Sequence, residues 1–191
     1  MKLKPSVGIA GILLLTAFFQ PAFAGTIEAV NHTKWAINHF SVNGQSGLDA
    51  IGPFQGGGGG CCYQSPSAWK PGLTVRVEWE TGIAFASDAP EIPRPKPPVN
   101  HGQTKKIWEQ EARTYNNDLA AWFQKIKLLN KTHSAVVQLP PYTSSEKTCG
   151  ITVHFFPCEQ IKVTTSCASY GSPAYPIKEP VNMKEPAVCP K

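Results

Sequence analysis

Alternation of apolar and polar residues dominates the second quarter of the chain. From Leu73 to Glu80, Leu73, Val75, Val77 and Trp79 alternate with Thr74, Arg76, Glu78 and Glu80. A period of two places one set in a core and the other in water, so this run predicts a strand. Thr26–His32 and Trp35–Val42 carry weaker alternation and also read as strands, with a tight turn at Asn31-His32-Thr33. Later, Ser134–Leu139 reads as a strand stopped by Pro140-Pro141. Gly150–Phe156 and Gln160–Cys167 read as a hairpin around Pro157-Cys158-Glu159.

One segment changes period. Trp108, Ala112, Tyr115, Leu119, Trp122, Ile126 and Leu129 recur at steps of four and three, which places them on one stripe of a helix over 104–129. Thr104 suits its N-cap and Asn130 its stop, while Asn116-Asn117 is a candidate break. Such a stripe serves as core packing against a sheet or as a partner-binding face, and packing is the more usual role. Pro90–Pro98 holds five prolines and reads as an exposed polyproline spacer, part of a Pro-rich linker over 86–103. Its piece Arg94-Pro95-Lys96-Pro97-Pro98 has the look of a ligand for peptide-binding modules, but a spacer is the plainer reading. Six or seven strands and one helix predict a mainly β, antiparallel sandwich-like domain carrying an inserted amphipathic helix.

The glycine run Gly56-Gly57-Gly58-Gly59-Gly60, leading into Cys61-Cys62-Tyr63, has no period. It reads as a loop in which the backbone approaches another strand or a partner. Ordering it costs entropy, so something must hold it. All six cysteines, Cys61, Cys62, Cys149, Cys158, Cys167 and Cys189, follow an N-terminal stretch with the marks of a secretory leader. These are Lys2 and Lys4, an apolar Val7–Phe19 and an Ala22-Phe23-Ala24 cleavage site before Gly25. The apolar run is shorter than the roughly 20 residues that span a bilayer. The expected layout is a leader over 1–24 and one β-rich domain over 25–191, exported to the periplasm or secreted, with no transmembrane segment in the mature chain.

Export and an even cysteine count imply disulfides. Neighbouring Cα atoms about 3.8 Å apart fall short of the 4.4 Å or so that a disulfide prefers. Cys61 and Cys62 are therefore expected to tie the glycine loop to two different places. If Phe156 and Ile161 flank the hairpin turn, Cys149 falls opposite about Ala168, which favours a Cys149–Cys167 cross-link. Cys189 is expected to pin a Pro-rich tail with little core of its own.

Charge and motifs narrow the function by exclusion. The formal charge is +5, of which Lys2 and Lys4 supply two, leaving +3. Basic residues cluster only in pairs such as Lys105-Lys106, which does not suit nucleic acid. Gly44-Gln45-Ser46-Gly47 lacks the glycine spacing of a nucleophile elbow. His32, His39, His101, His133 and His154 are scattered and form no metal motif; in an exported chain, Cys61, Cys62, Cys149 and Cys158 suit disulfides better than zinc. Glu78 and Glu80 share a strand face, where solvation is the commoner role than acid–base work. The glycines lack the Lys and Ser/Thr of a phosphate loop. No cofactor, metal or catalytic residue is expected. Asn31-His32-Thr33 and Asn130-Lys131-Thr132 match the glycosylation sequon, which matters only in a eukaryotic source.

Four motifs together are more specific. Gly57-Gly58-Gly59-Gly60-Cys61-Cys62, Trp69-Lys70-Pro71-Gly72, Val77-Glu78-Trp79 and Val153-His154-Phe155-Phe156-Pro157 occur in an order that resembles a family of uncharacterised exported bacterial proteins. They carry a domain of unknown function, and Pro90–Asn130 looks like a variable insertion in it. Members are frequently lipoproteins or periplasmic, although this chain has no lipobox cysteine. They tend to be encoded beside phospholipase toxins of type VI secretion systems. The resemblance implies an immunity protein that docks on such a toxin and blocks it. Candidate contacts are Gly56, Gly57, Gly58, Gly59, Gly60, Tyr63 and Trp69, with exposed helix residues. The alternatives are a small exported hydrolase, with the glycine loop as oxyanion site and Ser65, Ser67 or His154 as working groups, and a structural envelope protein.

Overall fold

In a computed structural model, the chain is described over residues 24–142 and 149–190. The leader expected over 1–24 lies outside these residues, apart from Ala24. Eight strands form: β1 (Ala24–Asn31), β2 (Ala36–Val42), β3 (Gln45–Ser46), β4 (Gly56–Gln64), β5 (Thr74–Gly82), β6 (Lys131–Gln138), β7 (Gly150–Phe155) and β8 (Ile161–Thr164). One helix, α1 (Lys105–Lys127), stands between β5 and β6.

The strands make two four-stranded sheets, ordered β4-β1-β7-β8 and β3-β2-β5-β6. All pairs are antiparallel except β1 and β7, which run parallel from Thr26↔Gly150 to Asn31↔Phe155. The mainly β, disulfide-stabilised sandwich with an inserted helix is thus what the chain forms. The alternation in β5 does what its period requires: Val75, Val77 and Trp79 are buried between exposed Thr74, Arg76 and Glu78. Its inward side chains meet Phe40 and Val42 of β2 and Ile151, Val153 and Phe155 of β7 in one core.

The glycine run is a strand, not a loop. Gly56–Gly60 forms most of β4, paired to β1 with two register shifts, at Gly25/Thr26 and Ile27/Glu28. The absence of side chains is what lets it pair. A Cβ on Gly58, at φ +102°, would stand 2.8 Å from the Ile27 carbonyl oxygen, and one on Gly60 would collide with the Ser46 carbonyl. Substitution there must push strands apart.

Cys61 and Cys62 correct a second expectation, because they are bonded to each other. The spacing of about 3.8 Å expected of neighbouring Cα atoms is that of a trans peptide. The bond between them is cis, and their Cα atoms are 3.2 Å apart. The glycine strand is therefore held by its ladder to β1 and not by two distant tethers. Cys149–Cys167 forms as the hairpin register implied, with Phe155 opposite Ile161 and Thr152 opposite Thr164. Cys158–Cys189 closes the set.

That last bond pins the tail, but the tail has a core of its own. Phe156, Tyr175 and Ile177 are buried together, with Ala168, Tyr170 and Met183 against them. β7 explains why a tail is needed: Val153, His154 and Phe155 are all buried, so the strand is covered on both faces.

Helix α1 forms where its period placed it, from N-cap Thr104, and runs through Asn116-Asn117 without a break. Its stripe does not pack on a sheet. Trp108, Ala112, Tyr115, Leu119 and Ile126 are half-buried, and of the stripe only Trp122 is buried. Tyr115 and Trp122 face the polyproline segment, which folds back along the helix. Trp122 Nε1 donates to the Ile92 carbonyl at 2.8 Å, Arg94 lies over the Trp122 ring, and Gln103 Nε2 donates to Glu111. The linker is thus half of an arm. At its root, Glu80 Oε1 accepts from Asn38 at 2.8 Å and from Asn130 at 2.7 Å. This also gives Glu80 a structural role in place of the acid–base one considered beside Glu78.

Candidate binding cleft and the buried histidine pair

A cleft of about 650 Å³ opens where the arm leaves the sandwich. Trp79 and Phe155 lie at its base, ring centroids 5.8 Å apart. Trp35 forms one wall, half-buried, with the Lys34 ammonium 4.6 Å above its ring. The arm root contributes Asp88, Glu91 and Leu129, and the turn after β7 contributes Cys158 and Glu159. Cys158 and Glu159 are both left-handed, at φ 62° and 59°. Non-glycine residues hold that conformation only when their surroundings impose it. Here Cys158 is bonded to Cys189 and its N–H donates to Glu185 at 2.7 Å.

His133 sits in the cleft wall, stacked on Trp79 at 5.0 Å. Its Nε2 is 2.9 Å from Thr81 Oγ1 and its Nδ1 is 3.5 Å from Glu159. A hydroxyl, an imidazole and a carboxylate in series resemble a nucleophile relay. The single Thr81 hydroxyl proton is shared between two acceptors, because the Lys131 carbonyl lies 3.4 Å from Oγ1 as well. The series ties β5, β6 and the left-handed turn together at the cleft.

A second histidine cluster lies under the tail. His32 and His154 are both fully buried. His32 Nδ1 is 2.7 Å from the Pro180 carbonyl, His32 Nε2 is 2.9 Å from His154 Nδ1, and His154 Nε2 is 2.6 Å from the Tyr175 hydroxyl. A carbonyl only accepts, and this fixes the direction of the whole chain. His32 donates to Pro180, His154 donates to His32, and Tyr175 donates to His154. Every ring nitrogen is satisfied with both imidazoles neutral. Burial pushes His154 down to about 3, with His32 beside it acting in the same direction. Burial also lowers His32, against the Pro180 carbonyl, which favours its charged form. Burial pushes Tyr175 up to about 12. These groups latch the tail onto β7; none of them reaches solvent.

Of the expected contacts, Leu129 at the end of the helix stripe lines the cleft, whereas none of Gly56, Gly57, Gly58, Gly59, Gly60, Tyr63 and Trp69 does. Gly56, Gly57 and Gly59 are exposed or nearly so along the edge strand β4, while Gly60 is buried against β3. Tyr63 is buried in the main core, which removes its side chain from any contact surface. Trp69 is half-buried, its Nε1 donating to the Leu139 carbonyl at 2.8 Å. His154, a working group of the hydrolase alternative, is fully buried. The sequon residue Asn31 is also fully buried, its amide donating to the Trp35 and Gly52 carbonyls. The cleft has no local signature, because its walls come from five stretches remote in sequence: the start of β2, β5 with the start of the arm, the end of the arm with β6, β7 with the turn after it, and the tail.

Fold and site together define a disulfide-bonded β-sandwich with an inserted helix–polyproline arm above an aromatic cleft. The sequence profile of the family described as "Protein of unknown function (DUF3304)" matches residues 30–163, and the chain belongs to that family. No curated protein and no solved structure matches the chain. The matched span takes in the glycine strand, the arm and both buried histidines, and stops before Tyr175 and Cys189. Among the described residues, no helix is long and apolar enough to cross a membrane.

Proposed function

We propose that this protein is an immunity-type binding protein of the periplasm, which docks on a secreted toxin of the lipase class and blocks its site. One observation carries the reading. β5 and β6 are adjacent antiparallel strands, paired at Thr81↔Lys131, and a two-residue turn suffices for such a pair. The chain instead inserts residues 83–130. This arm adds nothing to the main core, yet of the nine large apolar side chains exposed among the described residues it holds six: Phe85, Val99, Ile107, Phe123, Leu128 and Leu129. Apolar side chains concentrated on a projecting element mark an interaction surface. The toxin as partner, and the periplasm as location, rest on the family resemblance.

The test is co-expression with a lipase encoded by the neighbouring gene. The full chain is expected to co-purify with the lipase and rescue cells from it. A chain whose residues 83–130 are replaced by Asn-Gly is expected to fold and to lose both properties. Absence of rescue by the full chain sinks the reading.

A further inference from the structure

The cleft at the arm's root inverts the charge balance of the protein. The whole chain has 18 Lys and Arg against 13 Asp and Glu. Around the cleft, Asp88, Glu91, Glu159 and Glu185 stand against Lys34 and Lys131 only. All four carboxylates are exposed. Asp88 also accepts from the Phe85 N–H, Glu159 lies against His133, and Glu185 accepts from the Cys158 N–H. Between them Trp35, half-buried, is the indole within reach of a planar or cationic group, while Trp79 is only 4% exposed and stacked under His133 in the floor. Lys34 already shows the geometry on this wall, its ammonium 4.6 Å above the Trp35 ring.

We infer that this cleft is a receptor site for an arginine side chain presented by a protein partner. A guanidinium satisfies both features at once, because its face stacks on an indole and its edge bonds carboxylates in a fork. Its aliphatic stem suits the apolar base at Trp79 and Phe155. An anionic or neutral apolar occupant leaves the four carboxylates facing an uncompensated surface. The inference rests on the proposed binding function for its partner, but the site itself is testable without one.

The probe is N-acetyl-arginine amide, titrated into the full chain under non-reducing conditions, with the Trp35 and Trp79 indole signals followed by NMR. N-acetyl-citrulline amide, the neutral isostere, and N-acetyl-glutamate serve as comparators. A single side chain that stacks and bonds one carboxylate pair is expected to bind at about 1 mM, so shifts should saturate near 10 mM. Glu91→Gln with Glu159→Gln is expected to weaken binding about tenfold, and Glu91→Lys to abolish it. Equal response to the citrulline or glutamate compound, no response near 10 mM, or shifts located elsewhere would each overturn the inference. The rescue assay separates the two claims. Loss of rescue by Glu91→Lys supports a role for the cleft in docking. If rescue is lost by the arm deletion but kept by Glu91→Lys, the binding function stands and the cleft is not its receptor. If the full chain fails to rescue, the binding function falls, while the arginine titration still decides the site.

Discussion

Acidification should weaken this protein through the His32–His154 pair well before its carboxylates titrate. His154 falls from an ordinary value of 6.5 to about 3 in the folded chain, mainly because burial disfavours the imidazolium. A folded value below the unfolded one means that the unfolded chain binds the extra proton. Stability is then complete above about pH 6.5 and is lost as pH falls from there towards about 3. One proton of difference is worth about 1.4 kcal/mol per pH unit, so going from pH 6.5 to 5 should remove about 2 kcal/mol. That is a sizeable share of the 5–15 kcal/mol typical of a domain, and corresponds to a fall in Tm of about 4–8 °C. His32 shifts in the same direction and steepens the loss. The groups facing the pair are Tyr175, Tyr170, Lys162 and Glu179. Glu179 is ion-paired with Lys162, which holds its carboxyl below the usual range; its own contribution is lost only below about pH 4.5. Urea unfolding at several pH values between 7.5 and 5, with disulfides intact, measures the slope. His154→Gln should be less stable at neutral pH but flatter between pH 6.5 and 5. Tyr175→Phe removes the donor to a buried ring nitrogen and should cost about 1–3 kcal/mol at neutral pH. A wild-type stability that does not change between pH 7 and 5, or a native His154 ring signal that titrates near 6.5, refutes the neutral buried pair.

Two further outcomes follow from the geometry. Gly60→Ala should destabilise by several kcal/mol, because its Cβ meets the Ser46 backbone, and Gly59→Ala by about 1–3 kcal/mol, because space is open there but φ is +125°; equal, negligible effects in urea melts would contradict the assigned strand register. Trp122→Ala should loosen the arm, lowering the helical signal in circular dichroism while leaving the Tm of the sandwich within a few degrees, since Trp122 bonds Ile92 and stacks with Arg94 rather than any strand; a Tm collapse would mean the helix does support the core.

Much of the fold could be read from the chain because its local periods coincide with burial. Leu73–Glu80 alternates and became β5, and the stripe in 104–129 became α1. The hairpin register placed Cys149 opposite Ala168, one residue from its bonded partner Cys167. Elsewhere the determining neighbour is remote in sequence, and no local period records it. Glycine has no side chain with which to express a period of two, so Gly56–Gly60 showed no strand signal. Only the approach of Ile27 and Ser46 reveals why glycine is needed. The helix stripe has the same spacing whether it packs on a sheet or on a polyproline strand. His32 and His154 are 122 residues apart and meet only because β1 and β7 run parallel. No motif spacing encodes that contact, nor the cleft assembled from five separate segments.

The placement of the cleft gives the architecture a further logic. The arm enters and leaves the sandwich at Thr81↔Lys131, and Glu80 clamps its root to β2 through Asn38 and Asn130. The tail ends at the same place, since Cys189 is bonded to Cys158 on the left-handed turn that also presents Glu159. An occupant of the cleft therefore touches the base of the arm, the turn and the tail's end together. Such an occupant gains from each only if all three hold their positions. The disulfide and the histidine latch, on opposite ends of the tail's path, are what fix the tail in place. Loss of the latch on acidification should thus weaken binding at the cleft more than binding by the arm's exposed side chains, which owe the tail nothing. Measuring both against pH in the same preparation separates them: a parallel decline would show that the arm and the tail unfold as one unit.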